Sequence, residues 1–289
     1  MNKGLVDELR IDKGNAIVSE RTYSANGIKN TSSNISGSVR DDDILSIINQ
    51  VITKNKIQFN GDLIAVNVVK SSPGDDAFMF LERQYQRGSG IYLKNLGQTL
   101  TFVNRTYRDI KFNGYAEFKS ALKAIENGEL LTFKQEYAVE CVWHEMRHAQ
   151  AKGWGNIVNS DARSNPQARL LKLVSESINQ FCSRRSYDDF LTAIGGSASN
   201  KEWILVNGYG YTRGVANLGA MIDFFKIDRT VAYKNLDYIF KNSYNEDIIG
   251  KVADFISKEA GISKRNVVEI LKYLEESDFT FKRNLKPTK

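Results

Sequence analysis

The chain of 289 residues has two histidines, and both fall in one pentapeptide, His144-Glu145-Met146-Arg147-His148. On a helix, positions i and i+4 lie one turn apart on the same face. Two imidazoles so placed direct their ring nitrogens at one cation about 2.0–2.1 Å away, the zinc–nitrogen distance. Glu145 stands beside the first of them, where it reaches a water on that cation without displacing it. The chemistry this predicts is metal-assisted hydrolysis, with Glu145 as general base against a polarised carbonyl. The competing explanation is two surface histidines in chance proximity. Random placement would set them four apart around a glutamate well under about one time in a hundred. Tyr137, Ala138, Cys141, Val142 and Trp143 also make this helix apolar over much of its circumference. It reads as a buried helix, on which polar side chains need partners.

A catalytic zinc takes three protein ligands and keeps a position open. With no histidine left, the third ligand must be a carboxylate or, failing that, Cys182. Glu176, in LLKLVSESINQF, is the strongest candidate: it falls on the next helix, among the apolar residues Leu173, Val174, Ile178 and Phe181. Asp161, Asp188 and Asp189 stay open as alternatives, and the last two would also serve as acceptors that orient a ligand imidazole. The bland reading of Glu176 is a solvated carboxylate on a helix surface, the usual fate of a glutamate.

The elements that must position these residues follow from periodicity. Ile44, Ile47, Ile48 and Val51 recur at helical spacing behind Asp41-Asp42-Asp43. Strand signals cover Asp62–Lys70, bounded by Asn60-Gly61 and Ser71-Ser72-Pro73-Gly74. Gly90–Asn95 and Thr99–Asn104 flank Leu-Gly-Gln and read as a hairpin. Tyr115–Asn127 is a helix closing at Asn127-Gly128, and Phe133 to Lys152 is the helix of the pentapeptide, stopped by Gly153-Trp154-Gly155. Gln167–Arg184 is a third helix; beyond the break at 195–200 further helices fall near 213–226, 230–242, 245–260 and 263–276. Mixed strands followed by helices alone predict an α+β fold with a small mixed or antiparallel sheet and a mainly helical C-terminal region. The expected division is an arm or linker over 1–43, a catalytic domain over 44–200 and a helical subdomain over 201–289. Ser19–Asp43 buries too little apolar surface to offset its ordering entropy.

Composition is ordinary for a globular protein, at 42% hydrophobic and 26% charged. No apolar run has the length of a membrane span, and the N-terminus carries no secretory apolar stretch, so a cytoplasmic location is expected. Cys141 and Cys182 make no disulfide framework, and Cys141 reads as a small core residue. A net charge of +6 is dispersed along the chain. It permits an acidic partner without indicating one. The C-terminal pair of helices has helix-turn-helix spacing, with Lys264, Arg265 and Lys272 on its second element, but such pairs are mostly packing units.

The pentapeptide followed by a glutamate on the next helix resembles the gluzincin pattern of the zincin metallopeptidases. Residues 60–190 are similar to the zincin-like domain at the C-terminus of some phage head-morphogenesis proteins, with Ser175-Glu176 in place of that family's Ala-Glu pair. Arg147 stands where the family often has glycine. The resemblance implies a zincin-like fold, a bound Zn2+, a protein or peptide substrate laid along an edge strand near residues 90–104, and a phage-associated setting. It also implies a later side chain that hydrogen-bonds the reacting oxygen, for which Tyr209, Tyr211 and Arg213 in Asn207–Gly214 are candidates. The same glycines would equally make a turn before a helix. Zinc-dependent peptide or amide hydrolysis is therefore the expectation. The alternatives are a catalytically degenerate structural or binding module of a phage or mobile element, and a DNA-associated protein using its C-terminal helices.

Overall fold

Asp41 opens the first long helix by accepting a hydrogen bond from the backbone N–H of Ile44 through its side chain. In the computed structural model of the chain this helix, α1, spans Asp42–Lys54 and buries Ile44, Ile48 and Val51. The structure describes residues 17–19, 38–70, 78–87, 93–152 and 165–275, without the side chains of 17–19, 83–87 and 93–96. The boundary at Ser71–Gly74, the stop at Gly153–Gly155 and Asp161 lie outside the described residues.

Among the described residues five strands form one mixed sheet: β1 (Ile17–Ser19), β2 (Val39–Arg40), β3 (Leu63–Val69), β4 (Met79–Arg87) and β5 (Leu93–Val103). Their order is β1-β4-β5-β3-β2, and among these pairs β3 and β5 alone run parallel. The expected hairpin over 90–104 is instead the single strand β5. Gly97 is its irregularity, with φ +132° and the register against β4 shifting between Gln84 and Tyr85. A Cβ at Gly97 would meet Ile64 Cγ2 at 2.5 Å, so glycine here marks a bulge at a close approach rather than a turn. Strand β4 had no alternating pattern to announce it, because Met79, Phe80 and Leu81 are all buried. With β4 and β3 on its two sides, β5 lies inside the sheet, and it cannot be the edge that accepts a substrate strand.

Helix α2 (Gly114–Glu126) is capped by Asn113 and ends at Asn127-Gly128, where Gly128 takes φ +71°. Helix α3 (Phe133–Gln150) begins with a full capping box between Thr132 and Gln135 and is buried nearly all round. Helix α4 (Pro166–Ala193) starts at Asn165 with Pro166 in its first turn and runs well past the expected end at Arg184. There follow α5 (Lys201–Asn207), absent from the sequence expectations, then α6 (Thr212–Phe224), α7 (Arg229–Asn242), α8 (Asn245–Ala260) and α9 (Lys264–Leu271). Among the described residues no helix is long and apolar enough to cross a membrane. On α9 and the turn behind it, Lys264 pairs with Asp254 at 2.8 Å and Lys272 with Glu269 at 2.6 Å. Two of the three charges singled out for nucleic acid are thus engaged by acids of the same chain.

Two large hydrophobic clusters organise the described residues, beside a small one of Val69, Phe80 and Val103. One gathers the sheet with α1, α2, α3 and the C-terminal part of α4; the other gathers the N-terminal part of α4 with α6 to α9. The first is closed at one end by Glu136, a fully buried carboxylate at the start of α3. It accepts from the Tyr187 hydroxyl, the Asn200 side chain and the backbone N–H groups of Ser199 and Asn200, which fixes the loop after α4. Replacing Glu136 by Ala strips those donors of their acceptor in a buried setting. The expected cost is on the order of 3 kcal/mol, read as a lower urea midpoint at unchanged slope.

Candidate metal centre

Helices α3 and α4 pack antiparallel, and the interface between them is polar. Along α3 the positions Glu136, Glu140, His144 and His148 repeat every four residues, which keeps them on one stripe. Facing them on α4, Tyr187 meets Glu136, Gln180 donates to Glu140 at 2.7 Å, and Glu176 meets both histidines.

The three expected ligands come together. Glu176 Oε2 lies 3.3 Å from His144 Nε2 and 3.3 Å from His148 Nε2, and the two nitrogens are 3.1 Å apart. A tetrahedral ion with bonds of about 2.0–2.1 Å holds its ligand atoms roughly 3.3–3.4 Å from one another, so the triangle has the size of one face of such a site. Two imidazole nitrogens at 3.1 Å attract only if a proton or a cation lies between them. The exposures of His144, His148 and Glu176 are 5%, 1% and 4%, so bulk water does little to relieve this charge. Among the described residues, this is the cluster of histidine and carboxylate groups with metal-holding spacing.

Burial disfavours the charged form of His144, yet the hydrogen bond and charge of Glu176, with Glu145 and Glu140 nearby, outweigh it and raise its pKa. Burial likewise pushes Glu176 up, but His148 and His144 pull its carboxyl well below the usual carboxylate range.

Other candidates fall elsewhere. Asp188 and Asp189 sit on α4 three turns beyond Glu176, roughly 18 Å along the helix, and Asp188 is ion-paired with Lys201. They neither ligate nor orient the imidazoles. Cys182 belongs to the second apolar cluster, where burial pushes its thiol up to about 12. Both cysteines are free thiols, and Cys141 lies buried in the first cluster as expected. Tyr209 packs its ring among Phe112, Phe133 and Tyr137, away from the ligands. Arg213 is exposed in the first turn of α6, and among the described residues no hydrogen bond or ion pair joins it to them. Tyr211 is brought in: its ring stacks on His144 with centroids 5.8 Å apart and planes 12° from parallel.

Tyr211 gets there by a strained loop. It takes φ 48°, and the glycines around it leave room for close approaches. Arg184, 1% exposed, donates to the carbonyls of Gly208 and Gly210 at 2.8 Å each, while the Gly210 N–H donates to the Tyr137 hydroxyl at 2.7 Å. A Cβ at Gly208 would meet the Arg184 guanidinium at 2.8 Å.

Glu145, half-buried, accepts a hydrogen bond from the Leu81 N–H of β4 at 3.1 Å. β1 covers β4 at Gln84–Gln86, so among the described residues the Met79–Glu82 half of β4 has β5 as its one strand neighbour. Asn179, Arg147 and Asp237 are further polar groups at the centre that sequence reasoning missed. Arg147 Nε donates to Asn179 Oδ1 at 3.0 Å and its Nη1 to Asp237 at 2.6 Å. Glu136 and Glu140, which continue the histidine spacing backwards along α3, signalled a polar seam on that helix but not these three residues.

Comparison with protein-family models, with curated proteins and with solved structures gives no match.

The pKa directions predict a pH dependence. A histidine with a raised folded pKa stabilises the fold fully below its unfolded value, about 6.5, and loses that contribution as pH rises through the folded value. A depressed glutamate contributes above its unfolded value, about 4.3, and so stays constant over this range. The metal-free protein should therefore show a lower Tm at about pH 9 than at about pH 6. Zinc, which needs neutral imidazole, should raise Tm more at the higher pH.

Proposed function

We propose that the chain is a zinc-dependent metallopeptidase of the gluzincin type, with His144, His148 and Glu176 as ligands and Glu145 as general base. The observation that carries this reading is the triangle of ligand atoms, closed by a carboxylate from α4 on the pair from α3. The small mixed sheet, the ligand helix behind it and the glutamate on the following long helix agree with the zincin-like layout that the motif implied.

When bound, zinc supplies Lewis acidity, which lowers the pKa of a water to about 7 and polarises a carbonyl. The rest falls to the chain's own groups. His144, His148 and Glu176 bind the ion. The Leu81 N–H fixes the Glu145 carboxylate, whose oxygen takes the proton of the attacking water and returns it to the leaving amine. Tyr211, held over His144, offers its hydroxyl to the carbonyl oxygen as charge develops there. An extended peptide adds along the Met79–Glu82 edge of β4, in the place first expected of the 90–104 segment.

One observation favours a second reading, a metal-stabilised structural or binding module. The three ligands are almost wholly buried, as in a closed structural site. Purified protein should hold one zinc per chain by elemental analysis and cleave members of a peptide library. Glu145→Gln should keep the zinc and lose about 10²–10⁴-fold in kcat, whereas His144→Ala and Glu176→Ala should lose the metal. Stoichiometric zinc with no cleavage of any peptide supports the binding module, and absence of zinc removes both readings. Tyr211→Phe keeps the stacked ring and removes the hydroxyl. With zinc content unchanged, its kcat should fall about 10–100-fold, and an unchanged kcat would take Tyr211 out of the site.

A further inference from the structure

Asn179 lies on α4 one turn beyond Glu176, and its neighbours orient its amide without ambiguity. Arg147 Nε donates to Oδ1 at 3.0 Å, and Nδ2 donates to the backbone carbonyl of His144 at 3.0 Å. Exchanging the amide ends would set NH2 against a guanidinium and carbonyl against carbonyl. Arg147 cannot readily give way: it is fully buried, tied to Asp237 at 2.6 Å, and lies against the Phe240 ring at 5.7 Å.

An amide nitrogen carries two hydrogens. One goes to the His144 carbonyl, and the other is on the side of His148 Nε2, 3.1 Å away. That nitrogen is one of the three ligand atoms. Without a cation its lone pair can accept the hydrogen; once committed to a cation, it cannot. A buried N–H deprived of its acceptor is costly and takes the nearest new one.

We propose that this second N–H of Asn179 donates to the oxygen, of water or of the substrate carbonyl, that completes the site. Asn179 is then a catalytic residue, and Arg147 with Asp237 are positioning residues that hold its amide in place. The inference rests on the metallopeptidase reading above. A donor fixed in advance, in a site from which water is largely excluded, stabilises charge on that oxygen without reorganising.

The test uses the full chain loaded with cobalt(II). It reads the pH midpoint of the visible spectrum and the cobalt affinity by competition with a chelator. A donor to the oxygen favours its deprotonated form. Asn179→Ala should therefore raise the midpoint by about one pH unit, a tenfold change in that equilibrium, with cobalt affinity within about tenfold of wild type. Asn179→Ser keeps a hydroxyl acceptor toward Arg147 Nε, adds no charge and is too short to reach the oxygen, so if the alanine variant does not fold the same rise in midpoint is read from it. A group that only orients a ligand gives the opposite pattern, about 10–100-fold weaker cobalt binding with an unmoved midpoint, and that result overturns the proposal. Wild-type protein that takes up no cobalt overturns the metal reading beneath it, which keeps the two failures apart.

Discussion

A buried polar group must find a partner or the fold loses its stability, and the seam between α3 and α4 imposes this demand along its whole length. Glu136, Glu140, His144 and His148 point from α3 into its interface with α4, and all four are 5% exposed or less. Each is answered differently. A hydroxyl and a loop backbone satisfy Glu136, Gln180 supplies a donor to one oxygen of Glu140 and leaves its Oε2 without a hydrogen bond, and the two histidines share a carboxylate. The first two answers come from the protein alone. The third is completed only by a proton or a cation, so the same constraint that locks one end of the seam opens the other end to chemistry.

The other elements serve this seam. The sheet brings the Leu81 N–H to Glu145, and the loop between α5 and α6 brings Tyr211 to His144. From the second apolar cluster, α7 reaches the centre through Asp237, whose carboxyl is held below its usual range: burial raises it, and Arg147 and Lys241 outweigh that. The long helix α4 contributes to both apolar clusters, and Glu176 and Asn179 stand on its middle turns.

Much of this was legible in the residues. The pairing of His144 with His148 follows from spacing, because helical geometry converts sequence distance into spatial distance, and Glu176 was picked out by its apolar neighbours on the next helix. The α+β order, the acidic start of α1 at Asp41 and the stop at Gly128 follow from local chemistry. What failed was local signal overruled by tertiary context. Gly97 looks like a turn because its bulge depends on Ile64, a residue distant in sequence. The far end of α4 was missed because Ser183-Arg184-Arg185-Ser186 looks solvated, whereas Arg184 is buried against the carbonyls of Gly208 and Gly210. Asn179 gave no sign at all, since its role depends on Arg147 and on a backbone carbonyl of another helix.

The Arg184 clamp has a consequence for descent. A side chain at 208 would collide with the guanidinium, one at 214 would stand 2.2 Å from Ser177 Oγ, and Arg184 needs the carbonyls that this loop turns toward it. Each pair is therefore expected to change together. In diverged sequences the small residue at 208 should come and go with the arginine on α4, and the one at 214 with the small residue at 177, even where the surrounding text is no longer recognisable. Such a contact-defined signature links α4 to the loop between α5 and α6. It gives a way to trace kinship that does not depend on overall similarity.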